Sequence, residues 1–418
     1  MGAAGEKVAS KQDGQLALHG GKKAVQTLLP RRIRWGQPER ERLEAMLGQG
    51  SLFFWKGPQT ELLKERFRKV CPVKYAQTCS SGTAALHIAV AAAGVCPGDE
   101  VITSPITDIG TVIGILFQQA VPVFADLDPA TYNLDPVSVE RHITPKTKAI
   151  IAVHLLGNPC DLDALKAVAD RHNLVLIEDC AQAWGARYRG RPIGSVGHIA
   201  CFSLQDSKHV TCGDGGMVGS SDERFGPLLA RFGDKGFDRI GRRDIDVFGT
   251  NYRMSEPQAA VAAAQLERLE SIAARRAELG NLLTSSIATI PGIRTHRVHP
   301  QDRCVYWLYM FRIDPKRLCC DKSLFARALA AEGVPAWAGY IRGPLYTEPI
   351  FQEHSFFGGH WPVRESGLTT MDYAKVSCPE AEAIHQTAIR LGIHEHMSEQ
   401  YVLEVAAAIK KVASHYAA

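Results

Sequence analysis

The sequence predicts an α/β fold: a mostly parallel sheet sandwiched by helices, with a smaller C-terminal α/β domain. Three observations lead there. From about residue 72 to 220, short β-rich runs alternate with helix-like stretches, the pattern of parallel crossover units. The runs are almost wholly apolar, as strands covered on both faces must be. Beyond about residue 300 the character shifts to a looser mixture of strand-like, helical and loop segments.

Taken in order, residues 83–93 (TAALHIAVAAA) have helical composition, and Gly94 with Pro97 beyond it supplies a stop. Strand-like runs follow at 101–103, 121–124, 149–153 and 174–177, with a helical stretch at 162–171 between the last two. Three of these strands run out into polar residues: Asp126, His154 and the pair Glu178-Asp179. Ligands collect at the carboxyl ends of strands in open α/β sheets. Residues 255–283 read as one long helix opened by a Ser255/Gln258 capping box with Pro257 in its first turn. After it come a strand at 306–313, a helix at 322–332, a loop rich in Gly, Pro and His at 338–363, and a terminal helix near 398–413. The expected division is an N-terminal segment 1–30, a large domain 31–270 and a small domain 271–418.

Composition excludes several function classes. The 418 residues carry 48 Lys+Arg against 44 Asp+Glu, a net charge of +4, with 45% hydrophobic and 22% charged residues. That balance fits neither a disordered chain nor a nucleic-acid coat. The longest apolar runs, 112–117 and 149–153, fall far short of the roughly 18 residues of a membrane helix. Eleven scattered cysteines with no C-x-x-C pair read as reduced thiols of a cytoplasmic protein. Glu6, Lys7 and Lys11 stand where a secretory signal would be apolar, so no targeting signal is expected. His354, His360, His394 and His396 lack the i, i+4 spacing of a helical zinc site, and no metal is expected.

Four stretches carry candidate chemistry. Ser80-Ser81-Gly82-Thr83 leads into a helix, where free N–H groups and the positive dipole end suit a phosphate, although a hydroxyl there also serves as a plain N-cap. Asp179 closes a strand and could pair with a cationic ring nitrogen, with Gln182 reaching a neighbouring ring oxygen; at about 4 Å such a pair is worth roughly 4 kcal/mol before desolvation. A solvated or capping acid fits the same position. Lys208 follows a β-rich run containing Ser203 and precedes the glycine-dense turn 213–216, a place for a Schiff-base lysine with a lowered pKa. Asn251 lies in a polar loop before the capped helix. His209 reads as packing or a surface hydrogen bond.

The order of these pieces, with Lys208 29 residues after Asp179, resembles the pyridoxal-phosphate (PLP) enzymes of the aspartate aminotransferase fold. Within them the chain looks like the DegT/DnrJ/StrS sugar and cyclitol aminotransferases. The likeness runs through 16–21, 81–86, 126–133, 154–157, 179–185, 202–216, 251–254 and 265–269. It implies a PLP-dependent aminotransferase moving an amino group from L-glutamate or L-glutamine to a nucleotide-linked keto sugar or a keto cyclitol. Lys208 would bond the cofactor and shuttle the proton; Asp179 would pair with the pyridine nitrogen. Gln182 would meet the ring hydroxyl, and Gly82, Thr83 and Ser203 would hold the phosphate. Asn251 would reach the phosphate from the partner subunit of a homodimer with shared sites. Trp55, Lys56, Tyr340 and Arg342 are candidates for the substrate side. Two departures stand out. Asp108 occupies the position where the family stacks an aromatic residue on the cofactor, leaving Trp184, another residue, a different register or altered chemistry to account for it; Asp214 replaces the usual Glu of the glycine turn. Another PLP reaction class and a non-catalytic homologue are the competing expectations.

Overall fold

Apolar runs on both sides of residue 150 can hide all their surface only inside a helix-covered sheet, and the computed structural model, which describes residues 15–241 and 244–418, builds one. Its strands are β1 (Tyr75–Cys79), β2 (Glu100–Thr103), β3 (Val121–Phe124), β4 (Thr147–Val153), β5 (Val175–Asp179), a hairpin of β6 (Arg187–Tyr188) and β7 (Arg191–Pro192), β8 (Ile199–Ser203) and β9 (Gly216–Ser220). The seven-stranded sheet has the order β1-β9-β8-β5-β4-β2-β3. β9 pairs antiparallel with both neighbours and the other pairings are parallel. The carboxyl ends of β1, β2, β4, β5 and β8 therefore share one edge, with Ser80, Ser104, His154, Asp179 and Ser203 along it. Every residue of β3, β8 and β9 is buried, as coverage on both faces requires.

A second, antiparallel sheet has the order β10-β11-β13-β12, from β10 (Ile293–Thr295), β11 (Tyr309–Ile313), β12 (Ala336–Trp337) and β13 (Ala388–Leu391). It packs with the helix Glu399–His415 into a separate apolar core that also takes in Leu16 and Val25. Of the N-terminal segment expected at 1–30, residues 1–14, with Glu6, Lys7 and Lys11, lie outside the described residues. Residues 345–384 return to the first core: Tyr346, Phe351, Trp361 and Tyr373 are buried there, and Tyr373 Oη donates to Pro122 O at 2.9 Å. Leu345 N donates to Pro105 O at 2.8 Å, which holds the loop carrying Tyr340 beside the sheet edge.

Two expected elements differ. The long helix is two, Glu256–Leu266 and Leu269–Ile287. At the junction Glu267 N and Arg268 N bond three residues back, to Ala264 O and Gln265 O, tightening the turn. The Arg268 side chain is drawn off to Glu39 and to Arg34 O. The strand expected from 306 starts at Tyr309, because Val305 N and Trp307 N donate to Gly157 O and Leu156 O in the loop after β4. That detour sets Trp307 at the sheet edge. The capping box on Ser255 and Gln258 forms as its spacing predicts.

Candidate functional site

The first turn of the helix Gly82–Ala92 stands over the end of β8. Ser81 Oγ caps it, accepting from Ala84 N at 3.0 Å. A Cβ on Gly82 would come within 2.7 Å of Ser203 Cβ and 3.1 Å of its Oγ, so only glycine lets the Ser203 hydroxyl approach the helix start this closely. A Cβ on Gly110 would meet Thr83 Oγ1 at 2.6 Å and Asp108 Oδ1 at 2.9 Å. Ser203, Gly82, Thr83, Gly110 and Asp108 thus crowd one recess, and its first-turn N–H groups and hydroxyls suit an oxyanion.

Asp179, at the end of β5, is 4% exposed. Thr111 Oγ1 donates to its Oδ2 at 2.9 Å and Ala181 N to its Oδ1 at 3.1 Å. Burial raises its pKa, while these donors and the Lys208 ammonium pull it back down. Lys208 lies in the turn after β8, with its ammonium 3.8 Å from the centroid of the Trp307 ring. Burial depresses the Lys208 pKa from 10.5 to about 8, against the opposing pull of Asp179 and Asp108. The arrangement sets a buried carboxylate within the field of an amine whose proton burial loosens.

Gln182 Oε1 accepts from Leu156 N at 2.8 Å, and its Nε2 donates to Tyr340 Oη at 3.1 Å. Tyr340 also packs edge-on to Trp307, its phenol pKa raised by burial and by the nearby Asp108 and Asp179. Lys208, Asp179, Gln182, Ser203, Gly82, Thr83 and Tyr340 are therefore gathered at one edge. Arg342 is exposed nearby in sequence. Trp55 and Asn251 make their described contacts with other residues than Lys208. Trp55 packs on Phe54 beneath Arg239, and Lys56 is exposed with φ +57°. Asn251 is bridged to Asp234, which pairs with Arg239 and Arg253.

Trp184 does not cover the site: it is wholly buried between Phe67 and Phe202, and its Nε1 donates to Ser203 O at 2.7 Å. The aromatic ring beside the lysine is Trp307, tethered to the same turn by Nε1 donating to Ser207 O at 2.9 Å. Asp108 accepts from Gly110 N at 2.8 Å and opens the helix Gly110–Phe117, which delivers Thr111 to Asp179. Sequence analysis missed Trp307 and Thr111. A hydroxyl spaced three residues after Asp108 was the only trace of the second, and nothing local marked the first. His209 is buried, with Nε2 donating to Val305 O at 3.0 Å.

Among the described residues, one group has metal-like proximity: His154, Glu178 and Cys180. Its atoms are already engaged. His154 Nδ1 accepts from Cys160 N and its Nε2 donates to Glu178, and Glu178 also takes the N–H groups of Gly194, Val196 and Gly197. This is the knot by which β5 is pinned to the loop before β8.

Comparison with known proteins agrees with the geometry. Residues 35–410 match the family model of the DegT/DnrJ/EryC1/StrS aminotransferase family. A GDP-perosamine synthase of Caulobacter vibrioides is 41% identical over 261 residues, 60% of this chain and 68% of that protein. A putative L-glutamine:3-amino-2,3-dideoxy-scyllo-inosose aminotransferase of Micromonospora echinospora is 36% identical over 382 residues, 88% of this chain and 90% of the other. The crystal structure of a 3-amino-5-hydroxybenzoic acid synthase superposes with a TM-score of 0.82 at 29% identity, covering 93% of this chain and 99% of that one. With nearly the whole chain matched in sequence and in fold, it belongs to the DegT/DnrJ/EryC1/StrS family and is an aminotransferase.

Proposed function

We propose that this chain is a PLP-dependent aminotransferase that moves an amino group from L-glutamate or L-glutamine to the keto group of a nucleotide-linked sugar or of a cyclitol. The observation that carries this is a buried carboxylate, Asp179, within the electrostatic reach of a largely desolvated lysine, Lys208, at the carboxyl edge of the sheet. Bound there, PLP supplies an aldehyde for amine exchange and a ring that accepts the electron pair of the carbon losing its proton. The chain's own residues do the rest. Ser203, Gly82 and Thr83 would hold the phosphate, and the buried Asp179 carboxylate would keep the ring nitrogen protonated. Gln182 and Tyr340 set the position of the ring edge. Lys208 would bond the cofactor and move a proton at Nζ. The relatives' products and substrates, perosamine and scyllo-inosose by name, support a sugar or cyclitol acceptor.

The half-reaction tests this without the acceptor. Protein supplied with PLP and then with L-glutamine or L-glutamate should release one 2-oxo acid per chain and convert its cofactor to the pyridoxamine form, the faster amino acid being the donor. Bound cofactor that neither amino acid converts would favour another reaction class, for which Asp108 gives a reason.

The active unit is a homodimer with sites completed across the interface. Two features support this. Trp55 and Asn251 make their described contacts with Phe54, Arg239 and Asp234 and not with Lys208, and Phe248 and Ile240 are 98% and 86% exposed, apolar side chains that a second copy would cover. Mixing Lys208→Ala with Asn251→Ala subunits is expected to restore about a quarter of wild-type turnover if subunits assort at random, as one intact site then forms in every second dimer. Verified mixed dimers with no activity would overturn the shared site.

A further inference from the structure

Beside the main chain of the Lys208 turn lies a second cavity, about 290 Å³, where residues 32–34 cross it; Arg32, Arg34, His209, Arg268, Arg275 and Glu395 are among its walls. Four arginines and one carboxylate line it, and Arg268 is held from behind by Glu39. Glu395 is already taken, by Arg32 at 3.0 Å and by Arg276 at 2.9 Å, and Arg275 is paired outward with Glu278 and Glu399. Three buried polar atoms in the walls have no partner: Arg34 Nε, Arg268 Nε and His209 Nδ1. The nearest carboxylate to Arg34, Asp206, stands 4.0 Å away and is itself exposed. His209 is 1% exposed and spends its Nε2–H on Val305 O, so Nδ1 offers a lone pair. Burial and the neighbouring Arg32 lower the Arg34 pKa to about 10, against the opposing pull of Asp206 and Glu395.

Two charged N–H donors and one acceptor, all on residues of the same walls, complement an oxyanion that still carries a proton. We propose that this cavity binds hydrogen phosphate, free or as the phosphate group of a small monoester, and thereby clamps the Lys208 turn. The clamp follows from the hydrogen bonds already in place. Arg32 and Arg34 each donate to Lys208 O at 3.0 Å, and Arg32 donates to His209 O at 3.1 Å. An anion between the guanidinium groups removes their mutual repulsion and holds both donors on the turn. The site is distinct from the recess at Gly82 and Ser203 and does not depend on the proposed reaction.

The test uses full-length protein saturated with PLP, so that the cofactor's own phosphate recess is filled. Equilibrium dialysis with radiolabelled inorganic phosphate should show one saturable site per chain. Arg34→Gln, and separately Ser271→Glu at the exposed wall of the cavity, should each weaken binding by at least about tenfold, the cost of one charge-assisted bond or one added like charge. Unlabelled methyl phosphate that displaces the label more strongly than inorganic phosphate would identify a monoester as the ligand; the reverse would identify the free ion. Phosphate should also slow amide exchange across residues 204–212 in wild type and not in Arg34→Gln. Absence of saturable binding, or binding lost in Ser203→Ala and kept in both cavity variants, would overturn the site. Binding with unchanged exchange at 204–212 would overturn the clamp.

Discussion

Replacement of Lys208 by alanine is expected to abolish amino transfer, lowering turnover by on the order of 10⁴-fold or more, while the chain still folds. Lys208 is the amine that this edge of the sheet presents, over the Trp307 ring and within the field of Asp179 and Asp108. Removing a partly desolvated ammonium relieves a cost of burial, so the loss should not appear as unfolding. Lys208→Arg should fail almost as completely, because a guanidinium does not give up its proton. The pH dependence has a definite sign. The neutral amine is the nucleophile and its pKa lies near 8, so covalent capture of PLP by wild-type protein should speed up as pH rises and level off above about 8. Stopped-flow absorbance, with the cofactor's mass on the chain after borohydride reduction, measures this directly. Retained transamination in Lys208→Ala would remove the lysine from the mechanism, and an inflection near 10.5 would mean that its amine is not desolvated.

Asp179→Asn should lower turnover by about a thousandfold while leaving PLP bound. The carboxylate is 4% exposed and held by Thr111 Oγ1 and Ala181 N, which fix its direction more than they cancel its charge. Opposite a protonated ring nitrogen such a charge is worth roughly 4 kcal/mol, or about three decades of rate. Asparagine keeps the size and one acceptor but loses that charge. Cofactor retention should rest on the recess of Ser203, Gly82 and Thr83, which the substitution does not touch. Single-turnover absorbance with the amino donor separates the two effects: the conversion slows and the bound fraction stays. Turnover near that of wild type would mean that another group holds the ring nitrogen.

What the sequence determined by itself was whatever depends on short spacing. Alternating apolar runs specified the crossover units and their helices, the Ser255 capping box formed as written, and Asp179, Gln182, Ser203 and Lys208 became candidates because strand ends and a glycine-dense turn leave local marks whose order resembles that of a known family. Tertiary structure decided what depends on contacts between distant segments. Trp307 reaches Lys208 because Val305 and Trp307 bond to the loop after β4, an attachment between residues some 150 positions apart. Trp184 was a candidate by its closeness in sequence to Asp179, yet its ring is drawn into the core against Phe67 and Phe202. The expected long helix is interrupted because the Arg268 side chain has partners on the N-terminal segment, at Glu39 and Arg34, that no helical periodicity announces. The cavity behind Lys208 belongs to the same class. Its arginines come from positions 32, 34, 268 and 275, each an ordinary charge in the sequence, and only the fold brings them to one space and leaves Nε of Arg34 and of Arg268 without a partner.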